Sequence, residues 1–110
     1  MSDQQSGQPG PPENQMDEDA IAFAQGLFEL ARKGAAGLLV PLLDAGVPVD
    51  LRTSKGETLL MLAAAGNHPE TVQLLLEKGA NPEATDADGV TALGHARAAG
   101  AQDAIAKLNR

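Results

Sequence analysis

The side chains of this 110-residue chain that could do acid–base work at neutral pH are few. His68 and His95 are its two histidines, 27 positions apart. A histidine acts as a general base or metal ligand only where it converges with carboxylates or further ligands. Nothing in this spacing predicts such convergence, so both are read as structural. Thr53 and Ser54 have hydroxyls but no histidine at a matching position to activate them. Cysteine is absent, which removes a thiolate nucleophile, disulfides and a cysteine-based zinc site. No Gly-Lys-Ser or Gly-Lys-Thr phosphate loop occurs. The net charge of −7 and the absence of Trp and Tyr argue against nucleic acid, which needs clustered cations and stacking platforms. The expectation is a protein with no catalytic residues, no cofactor and no metal.

The elements that carry these residues repeat. Gly56-Glu57-Thr58-Leu59-Leu60 stands against Gly89-Val90-Thr91-Ala92-Leu93 at an offset of 33. The register continues: Ala63 with Ala96, Val72 with Ile105, Leu75 with Leu108. Such a period means stacked copies of one small unit. In the best-formed copy, about Thr53 to Thr85, Thr58 can cap a first helix through its hydroxyl. Gly66-Asn67 breaks that helix, and both residues tolerate positive φ. Pro69 suits the start of a second helix, with Glu70 at the favourable end of its dipole. Val72, Leu75 and Leu76 form its inward stripe, and Gly79 should follow its end. Asn81-Pro82 and Asp86-Ala87-Asp88-Gly89 are turn chemistry. An earlier, degenerate copy ends in Leu42-Leu43-Asp44-Ala45-Gly46-Val47-Pro48-Val49-Asp50, but Phe23 stands where its loop glycine belongs. Pro41 is costly inside a helix, so that helix is expected to start late, near Gly37.

The unit resembles the ankyrin repeat. The Thr-Pro-Leu-His-x-Ala pattern of that family appears as Thr58-Leu59-Leu60-Met61-Leu62-Ala63 and Thr91-Ala92-Leu93-Gly94-His95-Ala96. Leu59 and Ala92 replace its proline, and Met61 and Gly94 its histidine. Leu74-Leu75-Leu76-Glu77-Lys78-Gly79-Ala80-Asn81 matches the tail of the repeat more closely. The resemblance implies an all-α solenoid of about three helix-turn-helix repeats with hairpin-like loops, over about 19–52, 53–85 and 86–110. It implies that His68, in the inter-helix turn, bonds local backbone. It also implies where partners meet the chain. The hairpin tips would be Arg52, Thr53, Ser54, Lys55 and Glu57, then Thr85, Asp86, Ala87, Asp88 and Val90. The first-helix edge would add Ala65, Gly66, Arg97, Ala98 and Ala99. The first tip is basic through Arg52 and Lys55 apart from Glu57, the second acidic through Asp86 and Asp88.

Residues 1–18 are rich in Gln, Gly, Pro and Ser, with acids and no Lys or Arg, and are expected to be a disordered acidic tail. No leader pattern or bilayer-length apolar run is present, so a cytoplasmic monomer that avoids membranes is expected. The leading function is a non-enzymatic protein–protein interaction module with an unknown protein partner. The alternative is a regulatory or inhibitory subunit whose acidic tail occupies a basic site on an enzyme or nucleic-acid binder.

Overall fold

Residues 10–109 are described by the computed structural model, and they form six helices: α1 Gly10–Lys33, α2 Ala36–Asp44, α3 Leu59–Ala65, α4 Pro69–Glu77, α5 Ala92–Ala99 and α6 Gln102–Leu108. The helices form three pairs, each closed by a short turn. First helices α1, α3 and α5 pack in one row, and α2, α4 and α6 in a second row behind it. Among the described residues the strand-like pairing is one isolated bridge, Arg52 with Thr58. The stacking expected from the period, and the three all-helical repeats that the resemblance implied, are therefore present.

The helix boundaries follow local chemistry. The Thr58 hydroxyl accepts from the Met61 N–H at 3.3 Å, and the Met61 sulfur accepts from the Thr58 N–H at 3.4 Å. A methionine thus completes the reciprocal cap that the motif's histidine position occupies. The Thr91 hydroxyl caps α5 through the Gly94 N–H at 3.2 Å. Pro69 opens α4, and Gly79 follows its end at φ +97, a conformation that penalises any β-carbon. In the α3–α4 turn Asn67 alone takes the left-handed conformation, at φ 58, while Gly66 stays right-handed.

The start of α2 is as expected, at Ala36 beside Gly37 and with Pro41 inside the helix, whereas the expected bond of His68 needs correction. The Pro41 ring removes a bond to the Gly37 carbonyl, a loss of about 3 kcal/mol or more in a helix interior. Gly37 and Pro41 are both exposed, so water can take that carbonyl. His68 does not bond local backbone. Its Nε2–H donates to the Arg32 carbonyl at 2.7 Å, 36 residues away in the preceding repeat. Of the residues expected as a tail, 1–9 lie outside the described residues, and α1 extends through 10–18.

The core follows from the position of α3 at the centre of the stack. It packs against α1, α4, α5 and α6, and Leu59 through Ala64 are all buried. A helix with neighbours on every side must be apolar all round. Leu27, Phe28 and Ala31 of α1, Val72 and Leu75 of α4, Ala92 and Ala96 of α5, and Ala104 of α6 complete the core. Polar struts cross each junction. Lys78 pairs with Asp44, Asp50 Oδ1 accepts from the Asn81 N–H at 3.2 Å, and Asn67 Oδ1 accepts from the Ala104 N–H at 3.1 Å.

Candidate functional site

The two tips are built alike. In the first, the Thr53 N–H donates to the Glu57 carbonyl at 2.8 Å, and Thr53 Oγ1 accepts from the N–H groups of Lys55 and Glu57 at 3.1 and 3.2 Å. In the second, the Asp86 N–H donates to the Val90 carbonyl at 3.0 Å, and Asp86 Oδ1 accepts from Asp88 and Val90 at 2.9 and 3.0 Å. A short oxygen-bearing side chain at this place satisfies loop N–H groups that otherwise face water.

The tips are also tied to each other. The Ala87 N–H donates to the Lys55 carbonyl at 3.1 Å. The Arg52 guanidinium donates to the Gly56 carbonyl at 2.9 Å and to the Thr85 carbonyl at 2.7 Å. Gly56, at φ +80, lies so close that a β-carbon there would stand 2.9 Å from the Ala87 nitrogen. The loops of neighbouring repeats therefore form one edge and not two independent tips.

Asp86 carries a second load. Its Oδ2 accepts from His95 Nε2–H at 2.8 Å, and its side chain is only 7 % exposed. The backbone N–H of Val90, followed by His95 and the Asp88 N–H, holds this carboxyl below the usual carboxylate value against an opposing effect of desolvation. Sequence spacing did not anticipate this His–Asp pair. The pair fastens the second tip to α5, with both carboxylate oxygens already engaged. Among the described residues no group of three His, Asp or Glu is placed to hold a metal ion.

Two of the five charges expected on the tips are thus committed within the fold, Arg52 to carbonyls and Asp86 to N–H groups and His95, and Glu57 accepts from the Thr53 hydroxyl. Lys55 and Asp88 remain exposed, with Ser54, Thr85 and Ala87 beside them. Thr53, Glu57 and Val90 are half-buried. Val90 lies over Gly94, where a β-carbon would meet its Cγ1 at 2.7 Å. Glycine in place of the motif's histidine makes room for this valine. Ala65, Gly66, Arg97 and Ala98 are exposed, but at the far ends of α3 and α5, about 10 Å along the helix from the tips. Gly66 also has a structural task, because a β-carbon there would stand 2.8 Å from the Arg32 carbonyl that His68 bonds.

A groove of about 700 Å³ runs between α1 and the first tip. Ile21, Ala24, Phe28 and Arg32 form one wall, and Thr53, Lys55 and Glu57 the other. The α1 wall was missed from the sequence. Its signal was Phe23 in place of a loop glycine: helix continues where a hairpin would stand, so among the described residues α1 and not another tip flanks the first tip on that side.

A family model described as ankyrin repeats in three copies matches residues 27–108. The chain belongs to the ankyrin repeat family. Its ankyrin fold overlays the human ASB11 ankyrin repeat domain with a TM-score of 0.71 at 31 % identity, covering 76 % of this chain and 38 % of that one. An ankyrin repeat protein of Pseudomonas aeruginosa is 43 % identical over 63 residues, 57 % of this chain and 37 % of its own length. An ankyrin repeat-containing protein of Treponema pallidum is 35 % identical over 88 residues, 80 % of this chain and 29 % of its own. The chain thus spans well under half the length of these relatives. Ankyrin repeats generally mediate protein–protein contacts. Among the described residues no helix is long and apolar enough to cross a membrane.

Proposed function

We propose that this chain is a non-enzymatic interaction module that presents its two joined tips and the adjoining groove to a protein partner. The observation that carries this reading is the Lys55–Ala87 backbone bond, reinforced by Arg52 on the Thr85 carbonyl. Loops fixed to each other before binding lose little entropy when a partner arrives. Lys55 on one tip and Asp88 on the next give the edge a positive-to-negative order, which orients a partner of reverse order and raises its association rate. The groove adds Ile21, 58 % exposed, as an apolar anchor point. Without Trp or Tyr on this surface, affinity should be moderate.

The test is affinity capture from a lysate with the intact chain and with Lys55→Glu/Asp88→Lys, read by mass spectrometry. The expected result is a protein held by the first and depleted on the second. A captured protein that associates equally fast with both at low ionic strength would move binding away from the tips.

A further inference from the structure

We propose that the outer face of α1 and α2 docks a second copy of this chain, with the two α1 helices antiparallel across a two-fold axis near Gly26. The exposed large apolar side chains among the described residues are Ile21, Phe23 and Leu38, all in the first helix pair. Ile21 faces the tip groove. Phe23, 51 % exposed, and Leu38, 61 % exposed, belong to the outer end of the stack. There Ala22, Phe23, Gly26, Leu27, Leu30 and Leu42 line a second groove of about 310 Å³ with no charged side chain. A β-carbon at Gly26 would meet nothing within 4 Å, so another helix can approach closely. Phe23 both projects and lines this recess, and Leu38 precedes Leu42 by one turn on the same face of α2, so the first helix pair offers the projection and recess that a self-complementary two-fold interface requires.

Charge selects a copy of the same chain as the occupant. In sequence, the N-terminal half of α1 holds Glu13, Asp17, Glu18 and Asp19, and its end holds Arg32 and Lys33. Antiparallel pairing sets the acidic end of each helix against the basic end of the other. With the axis at Gly26, Lys33 falls opposite Asp19, and Leu30 opposite Ala22. The residues before α1, Met1 to Pro9, offer Met1 as their one large apolar side chain, too little to cover the face.

Sedimentation equilibrium of the full chain from micromolar to near-millimolar concentration tests this. A concentration-dependent dimer is expected, and Phe23→Glu with Leu38→Glu should weaken it at least tenfold while leaving far-UV circular dichroism unchanged. Lys33→Glu should weaken it several-fold, and adding Asp19→Lys should restore it. The two positions are 14 residues apart, about 21 Å along one helix, so the restoration must pass between copies. If the apolar double variant does not fold, this charge exchange decides alone. A chain that stays monomeric throughout, the state expected from the sequence, would overturn the proposal. So would a dimer indifferent to Phe23 and Leu38, or a charge exchange without restoration.

Discussion

The two hairpin tips share one backbone and differ in what secures it. Thr53 and Asp86 hold equivalent places and accept the same pair of loop N–H groups. The threonine does so with a neutral hydroxyl, which also donates to Glu57 Oε1 at 3.3 Å. The aspartate does so with one carboxylate oxygen and gives the other to His95. The glycines differ too: Gly56 is wedged against the next tip, while Gly89 has open space at the same φ. Position in the stack explains the contrast. The first tip is supported by the loop that follows it. The second has no later loop among the described residues and is tied down to its own helix.

The largest effect should come from erasing the difference beneath the tips. Leu59 is fully buried, and its counterpart is the smaller Ala92. Leu59→Ala should cost about 2–5 kcal/mol in urea denaturation, because the central helix cannot collapse into the cavity. A loss below about 1 kcal/mol would mean that the neighbouring repeats adjust freely.

Next comes a glycine pair. Gly89→Ala should cost about 1–2 kcal/mol from its left-handed φ alone. Gly56→Ala should cost more, by about 1–3 kcal/mol, since its β-carbon must push the Ala87 backbone away. Equal denaturation midpoints for the two variants would show that the tips are not in rigid contact.

The smallest effect is electrostatic and sharpens the Thr53–Asp86 contrast. The folded-state pKa of Asp86 lies below its unfolded value, so below about pH 4 the unfolded chain binds the extra proton. Its contribution is complete above that range and disappears as the pH falls through the folded value. Asp86→Thr gives the second tip the chemistry of the first. Urea midpoints at pH 6 and pH 3, values chosen to bracket about pH 4, should fall less with acid in this variant than in the native chain. An unchanged acid dependence would place the acid-sensitive group elsewhere.

Most of the fold was legible because it is written in local chemistry and repeated. Thr58, Pro69 and Gly79 each mark a boundary through their own backbone preferences, and all three stand at the boundary expected. The start of α2 near Gly37 was legible as well, but what Pro41 costs inside it was not. The exposure of Pro41 beside Gly37 depends on the packing of α2. The tip residues were also legible, because loop residues at a fixed offset must share one edge.

The sequence by itself determined the period, the helix pairs and which loops form the edge. Only the tertiary structure decided which residues on that edge are free. Arg52 and Lys55 are indistinguishable as charges in the sequence, yet one reaches a carbonyl in the next repeat while the other meets solvent. Asp86 and Asp88 divide in the same way. The bonds that separate them, Arg52 to Thr85 and His95 to Asp86, depend on how closely repeats approach and where a helix points its side chains. His68 on the Arg32 carbonyl has the same dependence. Residue type sets what each group can bond, and stacking distance sets which partner it finds.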